Sequence, residues 1–361
     1  MSDYEPVLQS LLRQTIESST THGIQLHIDS PKLHLDWRGA VGFTDRNHNA
    51  AREILTPLHP LRIASNTKTF VAAAILRLWE QQHLLLDTSI SEYICEEHRR
   101  LIKDKGYELD AISIRHLLSH TSGLFDYADS VVFANTIAEN LQRHWTRTAQ
   151  LQLAMDAGDL YGQPGEVCRY SDTGYILLGE IIERVYGKNL GLALRELLHY
   201  DRLGLSSTYL EIEETPPSGL LPVIHQYDNT IDSLIVDASY DIYGGGGLVS
   251  TVGDMARFMR GLFTGAIYQS PNTLKTMLGS VAAKRGGPDA YGLFTQIPNE
   301  YRMGLDGGAQ GTVYSHTGYL GSFVAYIPAL DMAIGLSVNQ HDTVLRAELI
   351  DAILALFDVS R

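Results

Sequence analysis

The chain has 361 residues, 44% of them hydrophobic, and a formal net charge of −14 at pH 7. That length and apolar content provide for about two domains with a sizeable core, while the acidic balance makes nucleic acid and anionic membrane surfaces poor partners. No apolar run approaches the ~20 residues of a membrane-spanning helix.

The first segment, to about residue 18, reads as an amphipathic helix and lacks the basic n-region and apolar h-region of a signal peptide. A cytoplasmic enzyme is therefore expected, a removed signal or an engineered start being the alternative. In the cytoplasm Cys95 and Cys168, which have neither metal nor redox spacing, are not expected to form a disulfide. Two β segments follow, at 24–29 and 33–37, joined by a Ser30-Pro31 turn. A helix is expected from residue 65 to about 82, because Ala72, Ala73, Ala74, Ile75, Leu76 and Leu78 are strong helix formers. From 84 to about 244 the pattern is mostly helical with long loops, clearest at 116–118 and 175–185. The tetraglycine Gly244 to Gly247 reads as a bend near an active-site rim and leads into a helix at 254–263. Strands return at 312–316, 323–327 and 332–338, before a closing amphipathic helix at about 344–357. Strands at both ends with helices between predict an α/β fold of the α+β type. Its discontinuous α/β domain (residues 1–84 and 290–361) carries an antiparallel sheet flanked by helices, and a mainly helical domain (85–289) is inserted.

Chemistry enters at Ser65-Asn66-Thr67-Lys68, within RIASNTKTF. On a helix these two side chains share a face one turn apart, an amine beside a hydroxyl, which is the pairing that activates a weak nucleophile. The helix start would aim free N–H groups at the carbonyl oxygen of a bound substrate. Alone, an S-x-x-K arises about once by chance in a chain of this length; the bland alternative is a capping serine and a solvated lysine. Two further elements follow in order: Tyr170-Ser171-Asp172, in GEVCRYSDTGYILLGEIIERVYG, and His316-Thr317-Gly318, in VYSHTGYLGSFVAYIP. Each has its own bland reading, as core aromatic, helix cap or strand bend. Together, and in this order, they are poorly explained by chance.

With S-x-x-K, a tyrosine-headed Y-x-D and H-T-G, the chain resembles the serine β-lactamase and penicillin-binding-protein superfamily. That group includes class C β-lactamases, D,D-peptidases, D-aminopeptidases and family VIII carboxylesterases. The segments RHLLSHTSGL and GGGGLVSTVGDMARF match its style too, so the likeness covers nearly the whole chain. The resemblance implies a β-lactamase/transpeptidase-like fold and a serine hydrolase working through an acyl-enzyme on D-amino-acid amides, peptides or small carboxylic esters. It implies Ser65 as nucleophile, with Lys68 either as its base or as a lasting charge that lowers the pKa of Tyr170, and Tyr170 as proton donor to the leaving group. The backbone N–H groups of Ser65 and Tyr319 would form the oxyanion hole, with Asp172, His316, Thr317 and Gly318 lining the substrate. No metal or other cofactor is required, and the partner is a small-molecule substrate, without nucleic acid or membrane. A β-lactamase or penicillin-binding D,D-carboxypeptidase, and a non-catalytic sensor of the same fold, are the alternatives.

Two departures from the family pattern carry expectations. Asp172 stands where the family has asparagine; an ionised carboxylate would pair with Lys68, keep it charged and disfavour acidic substrates. His316 stands where lysine is common, so carboxylate binding would fade as pH rises through about 6.5. His116 and His120 are four apart, but no glutamate follows the first as in H-E-x-x-H, so a buried structural pair is expected in place of a metal site.

Overall fold

The computed structural model describes residues 4–47, 53–279 and 313–360, with the short strands Arg285–Gly286, Ala290–Tyr291, Gln296–Ile297 and Arg302–Met303 between them. Helix α1 (Tyr4–Glu17) precedes β1 (Gly23–Ser30) and β2 (Leu35–Gly42). The second strand begins later than its sequence pattern suggests. Pro31 starts a short 3-10 turn capped by the Ser30 side chain, and His34 takes a left-handed backbone (φ 52°) before the chain extends again. From the far end of the sequence come β3 (Tyr314–Thr317), β4 (Ser322–Ile327) and β5 (Met332–Ser337). The expected residue Thr312 lies outside the described residues.

These strands form one antiparallel sheet in the order Ala290–Tyr291, Gln296–Ile297, β3, β4, β5, β1, β2. Alternation splits its buried side chains between two layers. Ile24, Leu26 and Ile28 of β1 join Ile334 and Leu336 of β5 in packing against α1 and the last helix, α7 (Thr343–Ala355, numbered after those below). Val324, Tyr326 and Ala333 face the opposite way, toward α6 (Val252–Phe263). Gly335 permits that approach: a Cβ there would sit 2.2 Å from the Val252 carbonyl oxygen.

The rest is mainly helical. Helix α2 (Thr67–Glu80) is buried on every side, its Ala72-Ala73-Ala74 run offering little bulk to its neighbours. Against it lies α5 (Asp172–Tyr186), with α3 (Ile114–Leu118) and α4 (Val131–Glu139) completing the walls around the site. Gly179 lets α5 close on the chain at Tyr243, whose carbonyl oxygen would lie 2.0 Å from an added Cβ. Among the described residues, no helix is long and apolar enough to cross a membrane.

Candidate active site

The α-helix does not begin at Ser65. A 3-10 turn, Ala64–Asn66, comes first, entered through a left-handed Ala64 (φ 46°), and α2 starts at Thr67. The i, i+3 relation nevertheless holds: Lys68 Nζ donates to Ser65 Oγ at 3.0 Å. Tyr170 reaches the same atom from the strand-like segment preceding α5, its hydroxyl donating to Ser65 Oγ at 2.8 Å. Ser65, Lys68 and Tyr170, some of them a hundred residues apart, thus meet at one oxygen.

Lys68 is fully buried. Its ammonium donates to the Gly245 carbonyl at 2.6 Å and forms an ion pair with Asp172 at the start of α5. The tetraglycine therefore runs beneath the lysine, not along the rim. Burial alone would lower the lysine pKa, but the charges of Asp172 and Asp241 outweigh it and hold the pKa above the usual lysine value. At rest, then, Lys68 is charged. The phenol is not acidified in return: burial and the Asp172 charge push Tyr170 well above the ordinary tyrosine pKa.

The strand side is fastened to the turn that bears Ser65. Asn66 Nδ2 donates to Ser322 Oγ (2.8 Å), which donates to the Ile63 carbonyl (2.8 Å), and Gly318 N–H donates to the Ser322 carbonyl (2.8 Å). Gly318 fits only because it lacks a side chain, since a Cβ would lie 2.2 Å from Ser322 Oγ and 2.4 Å from the Ile63 oxygen. His316, Thr317 and Gly318 are held beside Ser65 in this way. The Tyr319 ring is exposed, stacks on His341 at 4.0 Å and donates to Asp228 at 2.9 Å.

His316 corrects an expectation. Burial and the nearby Lys68 charge push its pKa down to about 3, so it is neutral at any ordinary pH and cannot act as a titrating carboxylate binder near 6.5. His116 and His120 do not form a pair. His116 Nδ1 accepts from Ser113 N–H in a capping box, whereas His120 Nδ1 accepts from Ser171 N–H.

Ser65, Tyr170, Asp172 and His316 border a cavity of about 760 Å³, within the range of small-molecule sites. Apolar side chains also line it, among them Phe133 and Ile137 of α4, Ile231, Val236 and Leu320. Three charged residues near the centre escaped the sequence reading. Asp241 lines the cavity and Asp126 lies behind it; burial and the charge of Asp172 raise their carboxyls to about 7 and about 8. Arg346 of α7 also lines the cavity and donates to the Gly318 carbonyl at 2.6 Å. No motif marks these positions, which reach the site from distant loops and a terminal helix.

Among the described residues, Cys95, His98 and Glu180 form one His/Cys/carboxylate group close enough to hold a metal ion. Their bonding is already internal: His98 Nδ1 meets Glu180 Oε2 at 2.5 Å, His98 Nε2 meets Thr148 Oγ1 at 2.9 Å, and Glu180 Oε1 accepts from Cys95 N–H at 2.7 Å. Cys95 is not part of a disulfide.

A sequence model of the Beta-lactamase family matches residues 10–356. Penicillin-binding protein 4* of Bacillus subtilis (strain 168) is 24% identical over 319 residues, covering 82% of this chain and 66% of that protein. The chain spans 48% and 33% of the lengths of two further curated relatives. Among solved structures, the D-amino acid amidase from Ochrobactrum anthropi SV3, complexed with L-phenylalanine amide, aligns with a TM-score of 0.78 at 22% identity, covering 98% of this chain and 97% of that one. A penicillin-binding protein from Bacillus halodurans gives a TM-score of 0.75 at 22% identity, with 97% and 100% covered. The fold is therefore of the β-lactamase/transpeptidase type, as the motifs imply.

Proposed function

The chain belongs to the Beta-lactamase family, and from that premise we propose that it is a serine hydrolase that cleaves amides, peptides or esters of amine-bearing, apolar acyl groups through an acyl-enzyme. D-amino-acid amides are the first substrates to test. The observation that carries this reading is the convergence of Lys68 and Tyr170 on Ser65 Oγ at the floor of the cavity. In the resting arrangement both neighbours donate to that oxygen, so a proton must move before attack. The buried Lys68–Asp172 ion pair supplies a route: the ammonium passes one proton to Asp172, and the resulting neutral amine takes the proton of Ser65 as Oγ bonds to the substrate carbonyl carbon. Backbone N–H groups of Ser65 and Tyr319 hold the oxyanion. On collapse, Tyr170 gives its proton to the leaving nitrogen or oxygen and regains one from Lys68. Water then releases the acid from Ser65.

Charge supports the amine-bearing substrate. Asp172 and Asp241 line the cavity, where His316 is neutral and the Arg346 guanidinium is engaged by the Gly318 carbonyl, and the apolar lining suits an apolar side chain. A β-lactam, with its carboxylate, meets less favourable surroundings, so slow nitrocefin turnover is expected. Treatment with a fluorophosphonate followed by mass spectrometry tests the central claim: an adduct on Ser65 is expected, and intact Ser65 under conditions that label a control serine hydrolase would refute it. A small chromogenic ester beside a D-alanyl anilide then separates esterase from amidase.

A further inference from the structure

His120 lies at the end of α3, just past Ser119, buried and with a left-handed backbone (φ 55°). It holds the segment bearing Tyr170 from three directions. Its carbonyl accepts from Arg169 N–H at 2.8 Å, on one side of the tyrosine. Its Nδ1 accepts from Ser171 N–H at 3.1 Å, on the other. Its ring stacks on the phenol ring between those two bonds, with centroids 4.5 Å apart and planes 24° from parallel. Behind it the Tyr175 ring, 5.0 Å away, limits retreat. Burial and the Lys68 charge keep the imidazole pKa well below the ordinary value, so the ring is neutral, and the bond accepted at Nδ1 assigns its proton to Nε2. His120 does not border the cavity, and Ser65 Oγ is met by Lys68 and Tyr170 instead.

We propose that His120 is a positioning residue for Tyr170: its ring and its two backbone-directed bonds aim the phenol at Ser65 and so set the rate of acyl-enzyme formation. The assignment rests on the reading of Ser65 as nucleophile. A bonding phenol placed even ~1 Å away loses much of its effect, with costs up to about a hundredfold. A histidine that merely filled space would slow nothing through Tyr170.

The test uses His120→Asn, Tyr170→Phe and the double variant in the full chain. Asparagine tolerates a left-handed backbone, and its carbonyl oxygen can still accept from Ser171 N–H, so this change removes mainly the ring. Two quantities are read: the rate of fluorophosphonate labelling at Ser65, and kcat with KM for a chromogenic ester. His120→Asn is expected to lower the labelling rate and kcat about tenfold while KM changes less than about twofold. In the Tyr170→Phe background the same change should cost less than about twofold, because the group being aimed is gone. An unchanged rate in His120→Asn overturns the proposal, and so does an equal loss in both backgrounds. Should the asparagine variant fail to fold, His120→Gln serves in the same cycle: it removes the ring while its carbonyl oxygen can still accept from Ser171 N–H. About a tenfold loss of kcat is expected only where Tyr170 is present, and an unchanged rate or an equal loss in both backgrounds again overturns the proposal. Unlabelled Ser65 in the wild type overturns the acyl-enzyme reading itself, and His120 falls with it. Labelled wild type with an indifferent His120 overturns only the positioning role.

Discussion

Asp172→Asn restores the residue usual in the family and removes one negative charge from the reacting end of the cavity. A substrate ammonium about 5 Å from that carboxylate, at an effective dielectric constant near 20, gains about 3 kcal/mol from it. Part of this is offset in the variant. The carboxyls of Asp126 and Asp241 are raised partly by the charge of Asp172, so both ionise more readily once it is gone. A net change of about 1.4 kcal/mol remains, or about tenfold in selectivity. The assay compares kcat/KM for D-alanine 4-nitroanilide, which is cationic, with its N-succinyl derivative, which is anionic, and uses the N-acetyl compound as a neutral control. Wild type should prefer the cation, and the variant should move the cation-to-anion ratio about tenfold toward the anion. A ratio unchanged within about twofold would refute the argument that this carboxylate selects substrate charge.

Other consequences are as direct. Gly318→Ala forces the strand edge away from Ser322 Oγ and the Ile63 carbonyl; kcat should fall about a hundredfold with the far-ultraviolet circular dichroism unchanged, and retained activity would mean that the close approach is dispensable. Asp126 binds its proton more tightly when folded, with a pKa raised from 3.8 to about 8 by burial and Asp172. The stability it lends is full below the unfolded value and lost as pH rises through the folded one. Asp126→Asn, which can keep the bond accepted from Ala128 N–H, should therefore gain Tm relative to wild type steadily between pH 4 and 8, and a constant difference would contradict this. Glu211 holds buried Arg62 through two bonds of 2.7 and 3.1 Å; Glu211→Gln should cost about 3 kcal/mol in urea unfolding, and a loss below about 1 kcal/mol would show the pair to be solvated. Because His316 charges only near pH 3, KM for a carboxylated ester should show no inflexion near pH 6.5 that His316→Gln abolishes.

Local patterning made most of the outer architecture legible. The terminal helices, β1 and the three late strands follow from alternation and helical spacing, because each buries one face against a neighbour. The turn that bears Ser65 was less readable: nothing in Ile63-Ala64-Ser65 announces a left-handed alanine, which tertiary contacts impose. The S-x-x-K pairing survived because a 3-10 turn followed by an α-turn keeps positions i and i+3 on one side. Asp172 could be read because it sits in a motif beside the tyrosine. Asp126, Asp241 and Arg346 could not, since their proximity depends on how loops and α7 fold back on the cavity. The pKa of His316 was also out of reach, for burial decides it and burial is a property of the assembled sheet.

Strand β1 lies between β2, its immediate successor, and β5, which belongs to the last part of the chain. Ser30 Oγ donates to the Leu330 carbonyl across 300 residues. A polypeptide emerging from a ribosome can therefore gather α2 and α5 early, yet its central sheet must wait for the late strands, and such long-range closure is slow. Until β3 and β4 arrive, the serine has no strand edge beside it. On the role proposed for Ser65, a molecule still lacking those strands would carry the hydroxyl without the edge beside it, and reactivity would come on only once β3 and β4 have joined the sheet.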